Sequence, residues 1–242
     1  MANVARPHPH ASTEEIIHPH DDMLADTPEQ AAGPAYRSGK AEALAALREP
    51  GVRCCRCDLC ATRTQVVFGE GSAQARLLII GEAPGEEEDK SGHPFVGRAG
   101  KVLSSLLDEA GIRRDEIWIT NTVKCRPTKM NGRRVANRAP LVPEIKACTI
   151  WRVGELDILK PDIVCCLGAT AAKAMLGRDV KMTQERGQWL PFVLPIDGME
   201  QSAVIITFHP SYIMRQIGEA YDRIREQAAA DFATMAARLR AS

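Results

Sequence analysis

Aromatic residues are scarce in this chain, at 5% of 242 residues. That excludes a surface built mainly of ring platforms, and it makes each aromatic side chain beside a motif informative. Net charge is absent as well, because Lys plus Arg and Asp plus Glu number 31 each. Binding to a polyanion through bulk charge is thereby excluded, and only a local basic patch could perform it. No apolar run approaches the length of a membrane span, and residues 1–32 are too polar for the core of a secretory signal. The chain is expected to be cytosolic, with no membrane partner. Its length is enough to bury a large core, so no metal is required merely to hold the fold together.

Against this background stand eight cysteines, four of them within the seven positions Cys54-Cys55-Arg56-Cys57-Asp58-Leu59-Cys60. In a reducing compartment such clustering favours metal or cluster ligation over disulfides. From this segment alone a disulfide staple, a zinc site, an iron–sulfur cluster and a plain loop all stay open.

Residues 1–35 carry Pro, His and acidic residues with little apolar periodicity, and are expected to be a disordered tail. Four of the six histidines (His8, His10, His18, His20) lie in it, a tract that could take up metal adventitiously. Residues 36–242 are expected to form a single domain. Arg37 to Arg48 has helix-forming composition, with Ser38 as a candidate cap. Four short apolar runs follow: Leu77 to Ile80, Ile117 to Thr120, Ile163 to Leu167, and Val204 to Thr207. Continuous rather than alternating apolarity predicts strands buried on both faces. The segments 99–112, 143–160 and 169–177 carry apolar residues at helical spacing, and Gly111 and Gly177 are suited to helix ends. The prediction is an α/β fold, a three-layer αβα sandwich around a central four-stranded, mostly parallel sheet. Ligands in such folds sit outside the carboxyl ends of the strands.

At those ends lie Gly81-Glu82-Ala83-Pro84-Gly85 with Glu86 to Asp89, then Gly92-His93-Pro94-Phe95-Val96-Gly97, Asn121 to Pro127, Gly168-Ala169-Thr170, and Phe208-His209-Pro210-Ser211-Tyr212. A carboxylate, an amide, a glycine-rich loop and a histidine should therefore converge on one crevice. Between Lys124 and Arg138 lie six basic residues and no acidic one, which predicts a local cationic loop suited to phosphate.

The motifs "VVFGEG", "LLIIGEAPGEEEDKSGHPFVGRAGKVL", "WITNTVKCRP", "NRAP", "EIKAC" and "HPSYIMR" stand in this order from about Cys54 to Arg215. Together they resemble the family 4 uracil-DNA glycosylases, the iron–sulfur branch of their superfamily. The resemblance implies a repair enzyme that extrudes a uracil nucleotide from single- or double-stranded DNA and hydrolyses the C1′–N1 bond. It further implies a monomer whose product is free uracil and an abasic site. Glu82 would orient or activate the attacking water, and its charge would favour the cationic sugar. His209 would stabilise charge growing on uracil O2, for which a neutral imidazole donor suffices. Phe95 would stack on the base, Asn121 would read its carbonyl and N3–H, Glu88 would crowd C5 against thymine, and Ala83 would line the same pocket. Arg126, Arg133, Arg134, Asn137, Arg138, Ser211 and Arg215 would face the DNA.

The sequence departs from the family pattern where "TKMNGRRVA" intervenes before Asn137. A neighbouring branch has at this place a histidine that bonds covalently to the sugar. Here Ala136, or with a one-residue shift Asn137, takes that position, and neither is a useful nucleophile. Release of uracil is therefore expected rather than a trapped adduct. The same resemblance selects Cys54 and Cys57 as one ligand pair, with Cys125 and Cys148 as the other, giving four thiolates suited to a [4Fe–4S] cluster. Zinc could occupy a four-cysteine site as well. Cys55 and Cys60 fall outside the matched pattern, although a frame of Cys57 with Cys60 stays open, and Cys165 and Cys166 are expected in the core.

Overall fold

The computed structural model describes residues 39–241. The expected tail, its four histidines and the candidate cap Ser38 lie outside them. In chain order the elements are α1 (Lys40–Gly51), β1 (Glu70–Gly71), β2 (Leu77–Gly81), α2 (Glu86–Ser91), α3 (Arg98–Ala110), β3 (Trp118–Asn121), β4 (Thr128–Asn131) and β5 (Arg134–Asn137). They continue with α4 (Val142–Leu159), β6 (Ile163–Leu167), α5 (Ala169–Leu176), α6 (Met182–Glu185), β7 (Trp189–Pro191), β8 (Ala203–Thr207), α7 (Pro210–Ile213) and α8 (Glu219–Ala241).

The four apolar runs form the parallel centre of the sheet, in the order β3-β2-β6-β8. The sheet has six strands rather than four, because β1 and β7 add antiparallel edges to β3 and β8. These edges span two and three residues, too few for any periodicity to reveal them, and β7 ends in Pro191, which an edge tolerates.

Strand geometry sends successive side chains to opposite faces, and both faces are covered. Leu78, Ile80, Val164, Cys166, Val204 and Ile206 pack with Leu47 of α1, Leu156 of α4 and Met175 of α5. Leu77, Ile79, Ile163, Cys165 and Ile205 pack with Leu103 and Leu107 of α3 and with Phe232 and Met235 of α8. Cys165 and Cys166 are accordingly core residues, one on each face. Helices α3 and α5 end on Gly111 and Gly177, both left-handed. The long α8 was not legible in advance, since its buried stripe relies on small residues such as Ala228 and Ala236 beside Phe232 and Met235. Among the described residues no helix is long and apolar enough to cross a membrane.

One expected member of the cationic loop is not on the surface. Lys124 is 1% exposed, and its Nζ lies 2.6 Å from Glu155 Oε2 on α4. The same ammonium donates to Asn121 O at 3.0 Å and to Thr120 Oγ1, while Glu155 also accepts from the Gly69 amide and Thr120 Oγ1. A phosphate contact from Lys124 is excluded by this burial. The pair instead cross-braces the end of β3, where Asn121 begins the loop, against α4. Removing one partner of a buried pair strands the other charge, so Lys124→Met is expected to destabilise the fold by about 3–5 kcal/mol. Urea unfolding of the variant checks this; a loss below about 1 kcal/mol would mean the pair is dispensable.

Candidate active site

The carboxyl ends of β2, β3, β6 and β8 open into a cavity of about 660 Å³, a size suited to a small organic ligand. Glu82, Ala83, Glu88, Phe95, Asn121, Asn137, Arg138, His209, Ser211 and Arg215 all line it. The sequence had spread these residues over more than a hundred positions, and the strand ends bring them together.

The wall of the cavity depends on a close approach at Gly81. A Cβ there would stand 2.5 Å from both Asn121 Oδ1 and Phe95 Cζ, so only glycine lets the reading amide and the ring sit against the strand. Phe95 itself adopts a left-handed backbone, with φ of 54°. For a non-glycine residue this costs about 1–3 kcal/mol and is found where surrounding structure enforces it. The enforcing group is Glu88. Its carboxylate accepts from the amides of Gly85 at 3.0 Å, Val96 at 3.1 Å and Gly97 at 2.8 Å, tying the C-terminal end of the loop that carries Phe95 to the start of α2. Within the acidic run, Glu86 and Glu87 are exposed and approached by Lys90, whereas Glu88 is buried. Its carboxylate thus holds the wall in shape, a role the sequence reading did not assign.

Asn121 is 2% exposed, and its Oδ1 has no hydrogen-bond partner among the described residues. A buried acceptor left unpaired costs about 1–3 kcal/mol, and this one belongs to a residue lining the cavity. A ligand N–H is the group that would satisfy it.

His209 precedes the short α7, and its Nδ1 accepts the Ser211 amide at 3.1 Å. A ring nitrogen that accepts carries no proton, so the neutral ring holds its proton on Nε2. Burial first, and then the nearby Arg215 cation, push its pKa down to about 4. At neutral pH His209 is therefore an uncharged Nε2–H donor. Its ring centroid stands 6.0 Å from that of Phe95.

Glu82 Oε2 accepts from Thr170 Oγ1 at 2.6 Å. Thr170 sits in the first turn of α5 and was seen in the sequence only as part of a strand-end loop. It fixes one carboxylate oxygen and leaves the other free to face the cavity. Thr170→Val is expected to lower kcat about tenfold with KM changed less, since it loosens the position of Glu82. Steady-state kinetics of the variant checks this, and an unaltered kcat would contradict it.

At the rim, β4 and β5 form a hairpin with Asn131 opposite Arg134. Gly132 at the turn has φ of 62°, the positive φ that tight hairpin turns need at this place. The inserted segment is thus ordered as a ribbon rather than a loop. Arg133 and Arg134 are exposed on it. Arg126 Nε donates to Asn137 Oδ1 at 2.7 Å, and Arg126 also approaches Glu86. Arg138 forms a two-pronged pair with Glu144 at 2.8 and 2.5 Å and donates to Thr128 O at 3.0 Å. Its guanidinium anchors the hairpin to α4 while Arg138 also lines the cavity. Asn137 and Ala136 point to opposite faces of the ribbon, and Asn137 is the one that lines the cavity. Of the two positions weighed against the sugar-bonding histidine of the neighbouring branch, Asn137 is thus the one at the cavity.

The cysteine loop lies beside this rim. Trp151 Nε1 donates to Cys54 Sγ at 3.3 Å, Arg63 Nη1 to Cys125 Sγ at 3.3 Å, and the Lys124 amide to Cys148 Sγ at 3.2 Å. Cys57 and Cys54 lie within each other's field and that of Cys125. Burial pushes the Cys125 thiol up to about 11 and the Cys148 thiol to about 12. Cys60 and Cys55 lie close together, and Cys60 lies within the field of Cys57 as well. Among the described residues no three His, Cys, Asp or Glu side chains converge as ligands of a single metal ion. The donor set of Cys54, Cys57, Cys125 and Cys148 nevertheless fits a thiolate-bound cluster, because three of its sulfurs already receive the N–H bonds that anionic ligands favour. Arg63 also donates to Cys54 O at 2.6 Å, and the Thr64 amide to Asp89 of α2, so the loop is tied to both Cys125 and the segment leading to Phe95.

A mostly parallel α/β sheet with a cavity at the carboxyl ends of its strands, an unpaired amide oxygen and a neutral histidine defines a strand-end ligand site, and the family model narrows the class. The model described as the uracil DNA glycosylase superfamily matches residues 68–233, and the chain belongs to that superfamily. Within it, the chain is similar to the type-4 uracil-DNA glycosylase of Thermotoga maritima, 44% identical over 71% of this chain and 83% of the relative. It is also similar to the type-4 enzymes of Archaeoglobus fulgidus, at 34% over 74% and 84%, and of Sulfurisphaera tokodaii, at 36% over 77% and 86%.

Proposed function

We propose that this protein is a type-4 uracil-DNA glycosylase that removes uracil arising from cytosine deamination, in single- or double-stranded DNA. The observation that carries the reading is the unpaired Asn121 Oδ1 in a cavity that also holds a neutral histidine donor. Uracil offers N3–H to that oxygen and its carbonyl to the amide nitrogen, whereas cytosine has no proton on N3.

The extruded base stacks on Phe95, with Asn121 reading its edge. As the C1′–N1 bond lengthens, the electron pair moves to uracil and O2 gains charge, which His209 Nε2–H meets with a preorganised donor. The sugar becomes cationic, and the Glu82 carboxylate stabilises it while orienting water toward C1′. The water oxygen bonds to C1′, its proton passes to Glu82, and uracil leaves as an anion that solvent protonates. Glu88 shapes this pocket at C5 by fixing the loop of Phe95, and Arg126, Arg133, Arg134, Asn137, Arg138, Ser211 and Arg215 face the DNA. Neither Ala136 nor Asn137 supplies a sugar nucleophile.

Cys54, Cys57, Cys125 and Cys148 would hold a [4Fe–4S] cluster, which would pin the cysteine loop to the segment after Cys125. Hydrolysis moves no net electrons, so no redox role is assigned to it. Anaerobic purification should give a brown protein with broad visible absorption, and a colourless zinc-loaded protein would contradict this assignment.

The function is tested by incubating the protein with uracil-containing oligonucleotides, single- and double-stranded, beside thymine and cytosine controls. Alkaline cleavage at the uracil position alone is expected on a denaturing gel. Intact uracil strands, or cleavage of the thymine control at a similar rate, would refute the reading.

A further inference from the structure

We propose that the β4–β5 hairpin is a wedge that enters duplex DNA beside the extruded nucleotide, with Met130 and Val135 packing against the bases left in the stack. This rests on the glycosylase reading of the cavity and adds the element that handles a duplex as distinct from a single strand.

Met130 and Val135 are opposite partners in the hairpin ladder, 66% and 54% exposed. Partners across an antiparallel ladder share a face, as do residues two apart along a strand. Met130 and Val135 therefore stand on the face of Asn137, the cavity-lining residue paired with Thr128. At about 3.3 Å per residue the pair projects about 7 Å beyond Asn137, roughly two base steps of a duplex.

The ribbon is fixed at its root and, among the described residues, exposed at its tip. Arg138 ties the root to Glu144 of α4 and to Thr128 O, its amide bonds Pro127 O at 3.1 Å, and Asn137 accepts from Arg126. The tip carries Lys129, Arg133 and Arg134, all exposed, and no acidic residue stands between Thr128 and Asn137. An apolar pair on one face of the ribbon, with Lys129 and Arg134 on the other face and Arg133 at the turn, suits a polyanion with an apolar interior, which is a description of stacked DNA. Apolar side chains inserted between base steps are a known way to hold a distorted duplex. A single strand has no stack to prop open, so it gains little from the wedge.

The test uses the full-length, cluster-loaded protein with Met130→Ser and Val135→Ser combined. The duplex-to-single-strand ratio of kcat/KM for a uracil oligonucleotide is expected to fall about tenfold. An unchanged ratio, as an acidic protein partner for the tip would leave it, overturns the proposal. Met130→Ser alone should shift the ratio in the same direction, which keeps the test valid if the double variant is poorly folded. A second arm places 2-aminopurine beside the uracil in a duplex bound to Glu82→Gln protein. Its fluorescence should rise on binding and rise less when Met130 and Val135 are serine. If the wild type releases no uracil the glycosylase reading fails, whereas fluorescence indifferent to the two substitutions sinks the wedge alone.

Discussion

Glu82→Gln is expected to lower kcat on uracil-containing DNA by about 10²–10⁴-fold, the range associated with loss of a positioned general base. Binding to the same DNA should change by no more than a few-fold, because the carboxylate bonds Thr170 and faces the cavity rather than the hairpin rim. Glutamine keeps an acceptor for Thr170 and loses both the charge and the proton affinity. The loss should therefore lie in kcat and not in KM. Single-turnover cleavage with binding measured by fluorescence anisotropy separates the two. A variant that cleaves normally but binds weakly would move Glu82 from the chemistry to DNA contact.

His209→Ala is expected to cost about 10²–10³-fold in kcat, the usual penalty for removing one preorganised donor to a developing oxyanion. Its pH behaviour sharpens the test. In the fold the imidazole titrates at about 4 because it is buried and close to Arg215; in the unfolded chain it titrates near its ordinary value of about 6.5. The fold favours the neutral ring, so this contribution to stability is present above pH 6.5. It is lost as pH falls from 6.5 towards 4, at about 1.4 kcal/mol per pH unit. Catalytic dependence on a neutral His209 should correspondingly appear near pH 4 and not near 6.5. Unfolding of wild type and His209→Asn across this window should differ in slope, with the wild type losing stability faster as the solution is acidified. Parallel slopes would mean that the imidazole titrates at the same pH in the fold as in the unfolded chain, and the depressed pKa of His209 would fall.

The central sheet was legible because its strands are buried on both faces, and burial of that kind writes continuous apolar runs such as Ile163 to Leu167. The edge strands were not, because a strand of two residues carries no period. The residues around the cavity could be named from loop motifs at strand ends, yet the bonds between them could not. Nothing in a sequence says that Glu88 spends its carboxylate on three backbone amides, or that Thr170 holds Glu82 across 88 positions of chain. Charge was the least transparent signal. Lys124 and Arg138 read as members of one basic stretch, but each has found a carboxylate on α4, and only packing distinguishes such cations from those left at the hairpin tip. The hairpin itself was hidden in plain view: Asn131-Gly132 is a turn signal, flanked by strands too polar to stand out.

The most direct test of the whole account is chromatographic measurement of free uracil released from an excess of uracil-containing oligonucleotide, with the intact protein mass recorded in parallel. Many equivalents of uracil per protein and an unchanged protein mass are predicted. Release that stops at one equivalent with a DNA-sized gain in mass, or no release at all, would contradict hydrolysis at this site.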